Sequence, residues 1–287
     1  MANGLEADTT KREAASGRDR VLARYRDEEL ADRLSSVPWN NALDTIVSHR
    51  SVRSYRDEAL PAGTLELLIA AAQSAATTSN LQAWSVIAVE DPARKARLAS
   101  FAANQRHIVD APLLLVFVAD LARLRSISVE LGHAGTALDY IEAFIFAIAD
   151  ASLAAQNTIV AAESLGLGGC YIGAMRNNPA GVADELALPD EALVIFGMTI
   201  GIPDPVVQTD VKPRLPQNVI LHRECYAPPE PALLAAYDQR IRDFQAEQKM
   251  RVTDWTEQSA LRVRDEAALT GREVLRDFLR DRGFSLR

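Results

Sequence analysis

Residues 162–178 read AESLGLGGCYIGAMRNN. Upstream of them, from Leu138 to Leu165, the chain is rich in alanine and apolar almost all round. That pattern predicts a long helix running through a core or a subunit interface. The Gly166–Leu167–Gly168–Gly169 run stops it, and Cys170 to Gly173 reads as a short strand or extended segment. Asn177 and Asn178 are good caps for a further short helix, which Leu188–Pro189 ends. The glycines are not a dinucleotide fingerprint, because they follow a helix and their spacing departs from G-x-G-x-x-G. Their plain reading is a turn, and they equally let the backbone approach something flat.

Strands alternate with helices on both sides of this stretch. Trp84 to Glu90 (WSVIAVE) reads as a strand, turned by Asp91–Pro92 into a helix over Ala93 to Ala102. Leu113 to Ala119 has no helical polarity and lies between Pro112 and Asp120, so a buried strand is expected. Leu193 to Ile202 is a further strand candidate. Residues 121–137 read as irregular. Thr64 to Ala76 forms a strong amphipathic pattern, and a shorter helix follows Val37–Pro38–Trp39, capped by Asn40 or Asn41 and ending near His49–Arg50. This alternation favours an α+β (α/β) sandwich, with helices flanking a mixed central sheet.

The ends differ in character. Residues 1–18 are polar and charged and predict a loose arm. Arg20 to Leu34 then shows a helical period that packs on the body or on a partner. Beyond the prolines at 228, 229 and 231 the chain is charged and helical, with helices expected over Leu233 to Lys249 and Arg272 to Arg280. The expected organisation is an N-terminal extension over 1–38, a core over 39–228 and a C-terminal helical extension over 229–287.

The bulk numbers exclude several classes. With 287 residues, 48% hydrophobic and 24% charged, the chain has the composition of a folded protein and not of a disordered one. A formal net charge of −8 attracts neither nucleic acid nor an anionic membrane, so neither is expected as a partner. Two cysteines, Cys170 and Cys225, form no Cys-x-x-Cys pair, and the four histidines show no His-x-x-x-His. No metal site is therefore expected, and a reducing, cytoplasmic compartment is the simpler reading. The N-terminal residues carry no apolar run of a signal peptide. The most apolar segment, Ile141 to Leu153, contains Glu142 and Asp150 and reads as too short and too charged to span a bilayer.

Three basic clusters stand out: His49–Arg50–Ser51–Val52–Arg53, Gln105–Arg106–His107 and Lys212–Pro213–Arg214. Arg50 and Arg53 are oddly spaced and cannot share one strand face. Where a helix ends and the chain turns, two guanidinium forks and the Ser51 hydroxyl suit a phosphate, although a solvated positive face fits the same residues. Thr77–Thr78–Ser79–Asn80–Leu81–Gln82 offers short hydroxyls and amides that hydrogen-bond a polar heterocycle or simply cap a helix. No G-x-S-x-G elbow is present, so Ser-His-Asp hydrolysis has no anchor.

Taken in order, these clusters resemble the nitroreductase family. Arg50–Ser51–Val52–Arg53 matches its Arg-Ser-x-Arg element. Residues 75–84 match its Ala-Pro-Ser-Ser-x-Asn-x-Gln-Pro-Trp segment, with threonines for the serines and alanines for both prolines. The chain is most similar to the oxygen-insensitive, NADPH-preferring nitroreductase and flavin reductase subgroup. Gln105–Arg106–His107, residues 162–169, Tyr171 to Asn178 with Ala174 for a glycine, and Lys212 to Pro216 carry that likeness.

The resemblance implies an FMN-dependent NAD(P)H oxidoreductase with a nitroreductase-like fold, built as an intertwined homodimer. Arg50, Ser51, Arg53, Lys212 and Arg214 would hold the FMN phosphate and ribityl chain. His49, Thr77, Ser79, Asn80, Gln105 and His107 would line the flavin or its tail. The backbone of Tyr171, Ile172, Gly173 and Ala174 would face the ring near its reactive edge. No catalytic side chain is implied, because the cofactor carries the hydride chemistry. Lys249 and Arg251 would meet the nucleotide of NADPH or NADH, their plain reading being solvated charges on a helix end. Tyr140 and Phe144, in a segment over 126–146 that departs from the subgroup, would narrow the substrate pocket or belong to the core. The acceptor would be a nitroaromatic, a quinone or another small conjugated molecule, reduced by a ping-pong route. A flavin reductase feeding reduced FMN to a partner enzyme, and a non-enzymatic flavin store or sensor, are the alternatives.

Overall fold

The computed structural model describes residues 16–207 and 209–287. Most of the expected loose arm over 1–18 lies outside the described residues. The chain divides into two compact units, one of Met1–Arg50 with Asp210–Ala260, the other of Ser51–Thr209 with Leu261–Arg287.

The first unit begins with α1 (Gly17–Tyr25) and α2 (Glu28–Leu34). The single helical period expected over 20–34 is in fact broken, since Arg26 adopts a left-handed φ of 48° and Asp27 starts α2 by accepting from the Leu30 N–H at 2.9 Å. Helix α3 (Asn41–Val47) is capped by the Asn40 side chain, which accepts from the Leu43 N–H. Val21, Leu30 and Ala31 form a small core with Tyr25, Leu34 and Trp39. Arg20 clamps Asp44 of α3 through two hydrogen bonds of 2.7 and 3.0 Å.

The second unit holds α4 (Thr64–Gln73), α5 (Pro92–Phe101), α6 (Arg106–Asp110), α7 (Ala122–Glu130), α8 (Ile141–Ser164) and α9 (Pro179–Glu185). Its strands are β1 (Trp84–Val89), β2 (Leu113–Asp120), β3 (Gly168–Ile172) and β4 (Ala192–Gly201), in the sheet order β1-β2-β4-β3. Every ladder in that sheet is antiparallel. Parallel pairing enters only through the bridge of Ser51 to Gly169, among the described residues.

Strand β2 explains the unpolarised run read in the sequence. Leu113, Leu115 and Phe117 pack on one side with α4 and α8, while Leu114, Val116 and Val118 pack on the other with α5, α6 and α9. Alternate side chains of a strand face opposite sides. Helices cover both, so no position is free to be polar.

Helix α8 is long and apolar enough to cross a membrane by length and composition. It extends eleven residues past the Ile141–Leu153 run, which alone is too short to span a bilayer, to end at Ser164. It serves as a core helix instead, with Ala147, Ala151, Ala154 and Ile159 fully buried.

Glycine at 168 and 169 permits a close approach. A Cβ on Gly168 would stand 2.6 Å from Val52, and one on Gly169 2.6 Å from the Thr199 carbonyl oxygen. That space lets Val52 N–H donate to the Gly169 carbonyl at 2.9 Å and lays residues 51–55 along the sheet edge.

One expectation fails here. Residues 122–130, read as irregular, form α7. No residue of α7 is buried, so it has no apolar stripe to read, and Asp120 caps its first turn by accepting from the Arg123 N–H at 3.3 Å. Arg125 holds it in place by ion pairs of 2.8 Å to Asp139 and 2.6 Å to Glu191.

Towards the C-terminus come α10 (Gln217–Ile220), α11 (Pro231–Glu247), α12 (Trp255–Arg262) and α13 (Leu275–Asp281). The helix expected from Arg272 starts as a 3-10 turn over Arg272–Val274 before α13.

Candidate functional site

In the second unit, the loop between α4 and β1 is built around one carboxylate. Asp150 of α8 is 1% exposed. It accepts from the Thr77 hydroxyl at 2.5 Å, the Thr78 N–H at 2.9 Å and the Ala83 N–H at 3.2 Å. Between those anchors Ser79, Asn80 and Gln82 take φ of 48°, 57° and 50°. Left-handed backbone at non-glycine residues costs on the order of 1–3 kcal/mol each and persists where surrounding bonds enforce it. The result is a loop that turns the Ser79 and Asn80 side chains outward, both exposed. Thr77 differs: its proton goes to Asp150 and its oxygen accepts from the Gln82 N–H at 2.9 Å. Asp150 had no role in the sequence reading beyond its charge.

Residues 51–55 supply the second group. Ser51 and Arg53, two apart, share one face of the extended stretch, while Val52 between them is buried. Tyr55 locks the stretch by donating to the Val52 carbonyl at 2.6 Å and pairing with the Thr199 hydroxyl at 2.7 Å. Burial pushes the Cys170 thiol pKa up, against the weaker opposing influence of Arg53 and Ser51. Burial, then the charge of Arg53, hold the His107 imidazole below its ordinary pKa. His107 is 8% exposed, and its Nε2 is buried without a hydrogen-bond partner. Gln105, half-buried, precedes α6 and makes no capping bond with its side chain.

At the end of β3 the chain offers backbone more than side chains. Ile172 and Ala174 are buried in the core, and the Tyr171 ring meets Phe196 edge-on at 5.0 Å. Gly173 opens a 3-10 turn, and a Cβ there would lie 3.5 Å from Arg176 and 4.0 Å from Arg272. Arg176 donates to the Ile195 carbonyl. Its pKa is lowered by burial and then by Arg272, while that of Arg272 is lowered by burial and then by Arg262. The Arg272 Nε and the Asn177 Oδ1 are buried without partners. Two desolvated guanidiniums so close together make an anion-ready spot. Neither guanidinium is marked out by the sequence pattern, although Arg176 lies inside the Tyr171 to Asn178 motif.

Of the pocket candidates, Tyr140 is exposed at the N-terminus of α8, and Phe144 packs edge-on against Phe284 at 5.3 Å.

The first unit carries the remaining candidates. His49 and Arg50 follow the C-terminus of α3 and are half-buried; Lys212 and Arg214 are exposed. The 212–214 strip is fixed by the Tyr237 hydroxyl, which donates to the Pro213 carbonyl at 2.9 Å. Lys212 and Arg214 border a cavity of about 730 Å³ walled by Tyr25, Tyr237, Phe244 and Trp255. Lys249, at a left-handed φ of 53°, and Arg251 are exposed on the turn between α11 and α12.

The Nitroreductase family model matches residues 46–202, and that of the Nitroreductase family, C-terminal domain, matches residues 212–287. The chain belongs to the nitroreductase family. Among curated members it is 36% identical over 252 residues to an FMN reductase (NADPH) of Bacillus subtilis, covering 86% of this chain and 99% of the relative. It is 32% identical over 250 residues to an NADPH-flavin oxidoreductase of Vibrio harveyi, covering 86% and 100%. The solved structure of NfrA2 from B. megaterium superposes with a TM-score of 0.82 at 32% identity, covering 87% and 100%. Helices α1 and α2 of this nitroreductase-family chain lie outside both matched ranges.

Proposed function

We propose that this chain is an FMN-dependent NAD(P)H oxidoreductase that reduces small conjugated acceptors such as nitroaromatics and quinones by a ping-pong route. The observation that carries the reading is the shared face of Ser51 and Arg53, held at the sheet edge by Tyr55, in a chain whose residues 46–202 match the nitroreductase family model. Bound FMN supplies the hydride chemistry.

The protein's own groups bind and orient. In the second unit, Ser51 and Arg53 offer a hydroxyl and a guanidinium from one face, and we assign the buried His107 to the packing behind them. Ser79 and Asn80 present polar groups from the Asp150-pinned loop. The buried side chains of Ile172 and Ala174 leave the backbone from Tyr171 to Ala174 as the surface for a flat ring. In the first unit, His49, Arg50, Lys212 and Arg214 are the residues we assign to FMN, and Lys249 and Arg251 those we assign to the nicotinamide nucleotide. We read the enzyme as a cytoplasmic homodimer, in keeping with its free cysteines.

The test is an anaerobic absorbance titration of the purified protein. FMN near one per chain, bleached rapidly by NADPH or NADH, supports the reading and ranks the donors. Bound flavin that neither nucleotide bleaches contradicts it. A flavin reductase is the second reading, favoured by the B. subtilis relative's description as an FMN reductase. Faster turnover of free FMN than of nitroarenes would select it.

A further inference from the structure

Arg24 sits in α1, before the first residue matched by either family model, and is 6% exposed. A buried guanidinium is costly unless its donors are satisfied. Here they are spent on backbone carbonyls of two segments distant in sequence. Nε and Nη2 donate to the Val47 carbonyl at 3.0 and 2.8 Å, and Nη2 also donates to the His49 carbonyl. Nη1 donates to the Lys212 carbonyl at 2.8 Å. The Arg24 carbonyl in turn accepts from the Arg214 N–H at 3.0 Å.

These carbonyls are chosen places. Val47 is the last residue of α3, where helix carbonyls lack internal partners and the helix dipole is negative. His49 precedes Arg50, and Lys212 and Arg214 bracket the fixed proline. The same side chain thus registers the 47–50 turn against the 212–214 strip. A lysine, with one nitrogen in place of a planar fork, cannot reach three carbonyls in this geometry.

Helix α1 is itself held firmly. Arg240 donates to the Tyr25 carbonyl at 3.0 Å and pairs with Asp27 at 2.9 Å, and Arg26 pairs with Glu247. The guanidinium therefore reaches the two basic segments from a fixed base.

We propose that Arg24 is a positioning residue for recognition of the FMN phosphate. By holding the backbone on which His49, Arg50, Lys212 and Arg214 stand, it makes the N-terminal extension a working part of the binding apparatus. This rests on the reading that those residues serve FMN.

The experiment compares the full-length apoprotein with Arg24→Ala and Arg24→Lys. Dissociation constants are measured for FMN and for riboflavin, which has the same ring and ribityl chain but no phosphate. Wild type should prefer FMN. Arg24→Ala should weaken FMN about tenfold or more, roughly 1.4 kcal/mol, and leave riboflavin within about twofold. Arg24→Lys should fall between, and it carries the comparison should the alanine variant not fold. An undiminished preference for FMN in both variants overturns the inference. So does an equal loss for both ligands, which marks a merely structural role. Equal affinity of wild type for both flavins overturns the phosphate reading itself, and the inference with it.

Discussion

His107 shows what one residue can add to a motif. The sequence presents it as part of a Gln-Arg-His string, with no hint of its state. In the fold it is buried, facing Arg53, with Asp110 as the weaker opposing influence, and its pKa is lowered. The folded state therefore takes up its proton less readily than the unfolded chain. Its contribution to stability is fully present above the unfolded value of 6.5 and declines as pH falls from there through the lower folded value. We expect the apoprotein to lose melting temperature on acidification below about pH 6.5, and His107→Gln to flatten that part of the profile. Thermal melts of both proteins between pH 8 and pH 5, on the order of neutral to mildly acid, check it. Parallel profiles would remove His107 as the cause. Residue type alone left Ser51 and Arg53 open between an anion site and a solvated positive face, and the resemblance supplied the choice between them. Their shared face was not legible, since it depends on Gly168 and Gly169 leaving room for Val52.

At the level of elements, the strands and the long helices were readable because their patterns are set by burial. β2 is apolar throughout because helices cover both faces. The face of α8 that lies against the sheet is apolar because it is buried, with Ala154, Ala155, Ile159 and Ala162 in the core. What escaped was held by polar contacts. Helix α7 depends on Arg125, and the break between α1 and α2 depends on Asp27 as a cap. The loop after α4 depends on Asp150, a charge that sequence reading used only to argue against a membrane span. Asp150→Ala would strand the buried Ala83 N–H and take the acceptor from the part-buried Thr77 hydroxyl and Thr78 N–H. We expect a loss of about 1–3 kcal/mol of stability, with flavin retention falling as Ser79 and Asn80 lose their enforced backbone. Asp150→Asn keeps one acceptor oxygen and should lose less. Urea unfolding midpoints and the flavin-to-protein absorbance ratio report the two effects. Flavin retained at wild-type level in a folded Asp150→Ala protein would separate this loop from cofactor binding.

For the whole molecule, the chain's division into units was hidden because it joins segments far apart in sequence. Residues 1–50 belong with 210–260, and contacts such as Arg24 to Lys212 leave no periodic trace. The second unit poses a question of its own. Helix α8, at the heart of that unit, leaves Ile141 53%, Ile145 54% and Leu153 46% exposed along one side. Successive positions at i, i+4 and i+12 fall within about a third of the helix circumference. An apolar stripe on a core helix is costly in water, at roughly 25 cal/mol per Å² left uncovered. A second copy of the chain covers such a stripe in the homodimer we propose. Ile145→Glu places a charge in the middle of the stripe while its own helix remains solvated there. Light scattering after size exclusion should find wild type at twice the mass of the chain and Ile145→Glu shifted towards the monomer, with bound flavin lost in step if both copies are needed to hold it. A monomeric wild type would remove the homodimer. A dimeric Ile145→Glu protein with full flavin would instead move the interface off α8.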